Sequence, residues 1–339
     1  MISESLSNKI ATMSFFCALM VVGVHMAGSE TVGAASWWLE QIFGYGLFAI
    51  AVPFFFIVSG YFVELAHVRG VTYKTTVAKR LRTILIPFLI WNLVALIVSI
   101  GIISANDLAH SRPWGTNIHN AGWRWLSVIG LYPFSEPYLG PLWYLRGLFL
   151  LVLLSPVLRW LSNWLGLLIL FAVMYVTMSI FPEKSRAYHF FRWTIPTLGL
   201  FYFTFGMYLV QHPIPRRVGF PLACWAFPLG LGVLICEVYC KYVGIPPPIY
   251  FRALMIPLVL GFVWFLVPSG IGRLKLAGYT FPIYVLHYIF ISLAFFVSHS
   301  TSLQWYLIRG IVGVLGPIGV TLVLRRFWPR AAWIAFGGR

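Results

Sequence analysis

The sequence predicts an all-α, polytopic membrane protein: a bundle of about ten transmembrane helices with both termini in the cytoplasm. Three observations lead there. Of 339 residues, 60% are hydrophobic and 9% charged, whereas a soluble protein carries roughly 25% charged residues. Such a chain cannot cover its own surface in water, so lipid must replace the missing polar surface. Nearly charge-free runs of about the length that crosses a bilayer recur along the chain. The basic residues gather in alternate connections between those runs.

The runs lie at 10–28, 43–63, 84–104, 142–158, 164–181, 193–211, 218–240, 250–268, 276–298 and 303–324. Lys9 before the first run resembles the start of a signal peptide. The stretch Ile10–Ser29 is longer than a usual signal core, however, and reads as a retained first helix. Prolines inside the runs (Pro53, Pro156, Pro196, Pro228, Pro257, Pro282 and Pro317) are compatible with membrane helices, because neighbours satisfy the freed carbonyls. The longest connection, 105–141, carries several tryptophans and reads as an interfacial helix or a lid. One transmembrane domain with no fused soluble domain is expected.

With ten crossings, fifteen of the 24 Lys and Arg residues fall on the side that holds both termini. The positive-inside bias makes that side cytoplasmic. The net charge of +16 is thus a matter of topology, and nucleic acid is not an expected partner. Cys17, Cys224, Cys236 and Cys240 lie in apolar runs without metal-ligand spacing, so no metal is expected.

Ionisable groups at membrane depth are costly and point to a polar site. On this topology His25 stands near the outer end of the first helix and Arg146 a turn into the fourth. Glu237 lies near the outer end of the seventh, Arg309 about two turns into the tenth, and His287 near the middle of the ninth. Each has a structural alternative: an arginine can snorkel, Glu237 can pair with an arginine, and a lone histidine can be hydrogen-bonded scaffold. Lys79, Arg80 and Arg82 form a basic cluster at the start of the third helix, readable as a cytoplasmic anchor or as a phosphate clamp. From the residues alone, an enzyme and a transporter remain equally open.

Five segments in order resemble the acyltransferase 3 family of bacterial multi-pass membrane acyltransferases. They are VVGVH ending at His25, VPFFFIVSGYF from Val52, KRLRTILIPFLIW from Lys79, GPLWYLRGLFLLVLLSPVL from Gly140 and LAGYTFPIYVLHYIF from Leu276. The resemblance implies transfer of an acyl group, often acetyl from acetyl-CoA, to a hydroxyl of an envelope glycan or lipid-linked sugar in the inner (plasma) membrane. It puts His25 in the position of the family's helix-one histidine, and Lys79 and Arg82 in that of its basic pair. One departure stands out: the family commonly has an arginine eleven residues before the histidine, where this chain has Ser14.

Transfer to a sugar hydroxyl needs a base, and histidine has a suitable pKa. The expected roles are His25 as general base and Arg146 as oxyanion stabiliser. Lys79, Arg80 and Arg82 are expected to hold the CoA phosphates. Tyr284 and His287 are expected to help in orientation, with Glu237 and Arg309 as further substrate-binding candidates. Export of a lipid-linked sugar or solute, or a scaffold role in envelope assembly, is the alternative.

Overall fold

The structure, a computed structural model, describes residues 3–26, 31–106, 137–180, 196–245, 250–268 and 275–338. Most of the 105–141 connection lies outside them, as does part of the span predicted at 193–211. Among the described residues there is helix and no strand.

Ser3 accepts a hydrogen bond from the Leu6 N–H (3.2 Å) and starts α1, Glu4–Val24, which stops at His25. The second predicted run is built in pieces. Helix α2, Ala35–Leu39, passes into a π-turn at Glu40–Gly44, a 3-10 turn at Leu47–Ile50, and then α3, Ala51–Val68. Gly44 lets the π-turn lie against the Gly23 carbonyl of α1; a Cβ there would stand 3.3 Å from that oxygen.

The third run starts earlier than its hydropathy suggests. Helix α4, Tyr73–Arg80, is capped by Thr72 and continues through a π-turn, Leu81–Leu85, into α5, Ile86–Asn106. Pro87 gives the local reason: it has no N–H to bond the carbonyl four residues back, so Thr83 is released from the α-ladder there.

The remaining helices are α6 (Trp143–Trp160), α7 (Trp164–Ile180), α8 (Thr197–Gln211), α9 (Arg216–Tyr242), α10 (Tyr250–Leu266), α11 (Thr280–Val297), α12 (Leu303–Phe327) and the short α13 (Pro329–Ala335). Among the described residues, each predicted run overlaps at least one helical segment. Among the described residues, seven spans are long and apolar enough to cross a membrane, while α7, α8 and α10 are shorter.

Three helix pairs form the frame: α3 with α8, α9 with α10, and α11 with α12. Glycine makes the first pair possible. Gly60 abuts the backbone of Phe203, and Gly206 abuts the backbone of Ile57, so any side chain at either position would push α3 and α8 apart. Helix α1 packs on α3, α11 and α12. The outer faces of α9 and α12 show Leu222, Trp225, Leu229, Ile311 and Leu315, an apolar surface suited to lipid.

Candidate active site

The stop of α1 at residue 25 brings its histidine against α11. The His25 and His287 rings lie 5.2 Å apart between centroids, and Tyr288 stands edge-on to His25 at 5.3 Å. His287 sits eight positions into the 18-residue α11, so α1 ends at the level of the middle of that helix. The histidine pair is therefore inside the bundle.

His287 is fully buried. Its Nδ1 is 2.7 Å from the Tyr284 carbonyl and 3.1 Å from the Ile283 carbonyl. Carbonyls only accept, so Nδ1 carries the hydrogen and Nε2 keeps the lone pair. That Nε2 is buried with no hydrogen-bond partner among the described residues. A buried acceptor left open in this way is suited to an incoming hydroxyl.

A turn before His287, Tyr284 donates a hydrogen bond to the Pro141 carbonyl. Pro141 belongs to the 3-10 turn Gly140–Leu142 that leads into α6. Buried Asn92 of α5 holds the same segment: its amide oxygen accepts the Leu139 N–H at 3.1 Å, while its amide nitrogen donates to the Phe88 carbonyl at 2.8 Å. The Gly-Pro-Leu-Trp-Tyr segment is thus clamped from both sides. Its Tyr144 stands 5.7 Å from the Tyr284 ring and 3.3 Å, oxygen to oxygen, from Ser59 of α3.

The basic cluster reaches this network through Arg80. The Arg80 side chain is half-buried and lies within electrostatic range of Tyr144, while Lys79 and Arg82 are exposed. From Arg80 a line of polar groups runs inward through Tyr144 and Tyr284 to His287 and His25. At the same end, a cleft of about 300 Å³ opens between the turn before α4 and the end of α6, lined by His67, Thr72, Thr76, Ser155 and Arg159. Arg159 pairs there with buried Glu64 at 2.9 Å, and Gln211 Nε2 lies 3.5 Å from the other carboxylate oxygen.

Three further candidate residues are buried on α6, α9 and α12. Arg146 is buried on α6, two positions after Tyr144. Glu237 forms an ion pair with Lys241 at 3.1 Å, and Lys241 in turn donates to Gln41 at 2.8 Å, linking α9 to the π-turn after α2. Arg309 is fully buried and donates to the carbonyls of Ser298 (2.9 Å) and Ser300 (2.7 Å) with its guanidinium over Phe295. These bonds hold the connection between α11 and α12.

Ser59, Asn92 and the Glu64–Arg159 pair were not singled out from sequence; a lone polar residue within or beside an apolar run has no periodic signal. Among the described residues, no three His, Cys, Asp or Glu side chains gather to hold a metal ion.

The profile described as an acyltransferase domain, that of the acyltransferase 3 family, matches residues 12–326. The chain belongs to this family. It is an acyltransferase, and its apolar helices make it a multi-pass membrane protein. The acyltransferase is also 28% identical, over 288 residues, to the succinoglycan biosynthesis protein ExoH of Rhizobium meliloti (strain 1021), covering 79% of this chain and 72% of the relative. No solved structure matches it.

Proposed function

We propose that this acyltransferase moves an acyl group, acetyl in the simplest case, from acyl-CoA to a hydroxyl of an envelope glycan or lipid-linked sugar. The observation that carries this reading is the contact between His25 and His287 at the inner end of a polar line from the basic cluster. The relative's part in succinoglycan biosynthesis supports a polysaccharide acceptor. In this reading the chain crosses the inner (plasma) membrane ten times with both termini cytoplasmic, in keeping with the bias of its basic residues.

The donor lies with its phosphates on Arg80, flanked by Lys79 and Arg82, and its nucleotide end against the cleft beside Arg159. Arg80 takes the part of the arginine that Ser14 replaces. The pantetheine arm follows Tyr144 and Tyr284 inward and brings the thioester to the histidines. The acceptor comes from the opposite end, past the cluster of Gln41, Glu237 and Lys241. Arg309 supports that end by holding the α11–α12 connection.

His25 removes the proton of the acceptor hydroxyl, whose oxygen attacks the thioester carbonyl. His287 Nε2 accepts a hydrogen bond from a neighbouring hydroxyl of the sugar and so orients the acceptor. Arg146, buried on the helix that carries Tyr144, stabilises the tetrahedral oxyanion. Collapse breaks the C–S bond, and the proton held by His25 passes to the leaving thiolate. The products are the O-acyl sugar and CoA. General-base assistance of this kind is typically worth about 10²–10⁴-fold.

The test uses membrane vesicles containing the protein, radiolabelled acetyl-CoA and extracted envelope glycans. Base-labile label on glycan or lipid-linked sugar that requires the protein supports the reading. No label across a panel of acyl donors and envelope extracts would refute it.

A further inference from the structure

We propose that Phe336 and Gly337 are positioning residues for the acyl donor: the C-terminal segment is a strap that fixes the π-turn carrying Arg82 and, through it, the direction of Arg80. The inference rests on the donor reading above. The strap lies beyond residues 12–326 that match the family.

The chain leaves α12 at Phe327, turns at Trp328 and forms α13. One side of this short helix is exposed at Trp328, Arg330, Trp333 and Ile334, residue types that suit a bilayer interface. The other side returns to the bundle. Trp91 Nε1 donates to the Ala335 carbonyl at 2.8 Å, and the fully buried Phe336 ring stacks on Trp91 with centroids 5.6 Å apart at 23°.

The next residue makes the connection to the basic cluster. Gly337 has φ +66°, a conformation that side-chain-bearing residues rarely adopt. It lies so close to Thr83 that a Cβ would stand 2.5 Å from the Thr83 carbonyl oxygen. Thr83 is the residue whose carbonyl Pro87 releases from the helical ladder, and it directly follows Arg82. A π-turn with a released carbonyl has several geometries open to it; the Gly337 backbone packed against that carbonyl selects one.

The same stretch of α5 connects to the other wall of the donor path. Asn92, next to Trp91, holds Leu139 and so the segment that leads to Tyr144. The strap therefore bears on both Arg80 and the tyrosine it addresses. Since shifts of about 1 Å in a positioned group change rates by up to 10²-fold, a free strap should be felt first in donor affinity.

The experiment measures steady-state transfer by full-length protein in vesicles while varying acyl-CoA and acceptor separately. Phe336→Ala and Gly337→Ala are expected to raise KM for acyl-CoA about ten-fold, a loss of about 1.4 kcal/mol in donor binding, with kcat within about three-fold and acceptor KM unchanged. Phe336→Leu, which keeps most of the volume, is expected to restore donor KM to near the wild-type value. Trp333→Ala on the exposed side serves as the control. In parallel, a Thr83→Cys protein with the four native cysteines replaced is treated with a maleimide. Adding Phe336→Ala is expected to speed labelling about ten-fold or more. Wild-type turnover with unchanged donor KM in both strap variants overturns this inference alone, whatever the labelling rate. So does a fall in kcat and folded protein with no selective change in donor KM. Failure of the wild type to turn over any acyl-CoA overturns the enzymatic reading and this inference with it.

Discussion

The Tyr284 hydroxyl donates to the Pro141 carbonyl, and that bond joins the histidine-bearing helix to the segment opening α6. It sets the spacing between the Tyr144 and Tyr284 rings, which line the proposed path of the donor. Tyr284→Phe keeps the ring and leaves a buried carbonyl without its donor, at a cost of about 1–3 kcal/mol. The expected result is a lower midpoint of thermal unfolding in detergent, with kcat reduced about ten-fold. An unchanged kcat would show that the spacing is not used in the reaction.

Arg309 distinguishes scaffold from substrate binding. Its bonds to the Ser298 and Ser300 carbonyls make it a clamp on the α11–α12 connection. Arg309→Gln is expected to destabilise the protein by roughly 1–3 kcal/mol, by removing the charge-assisted bonds to these two carbonyls. The activity of the protein that remains folded should stay within about three-fold of wild type. A rise of more than ten-fold in acceptor KM, measured with varied glycan concentration, would instead assign Arg309 to the substrate.

Gly60 carries the closest helix pair. Because it abuts the Phe203 backbone, Gly60→Ala must separate α3 from α8. The expected cost is about 1–3 kcal/mol, as for other overpacked sites. It is measured as a fall in the fraction of detergent-soluble protein that elutes as one species. Ser59 neighbours this glycine, so the same variant should weaken its contact with Tyr144.

The bundle was largely legible in the sequence because membrane crossing is written locally, in the length and hydropathy of each run. Helix starts were less so: hydropathy begins the third run at 84, but Thr72 caps a helix that is continuous from Tyr73 into the π-turn. The sequence also singled out His25 and His287, yet not that they meet. Helix α1 ends at the level of the middle of α11, a fact of packing that no run length records. Asn92, Glu64 and the C-terminal strap escaped notice for a related reason. Each is defined by a partner far away in sequence: Leu139 for Asn92, Arg159 for Glu64, and Trp91 with Thr83 for the strap. Arg146 and Arg309 show the converse. Depth marked both as notable, but depth cannot tell a clamp on carbonyls from a group facing substrate.

The central claim is that His25 and His287 serve one reaction together, and the most direct test is a double-mutant cycle on transfer. Initial rates of acyl transfer would be measured for wild type, His25→Ala, His287→Ala and the double variant, each normalised to folded protein. The account predicts that His25→Ala loses about 10²–10⁴-fold, that His287→Ala loses at least about ten-fold, and that the double variant is within a few-fold of His25→Ala alone, because residues acting as a unit are not additive. His25→Ala retaining more than about a tenth of the wild-type rate, or losses that simply multiply in the double variant, would contradict it.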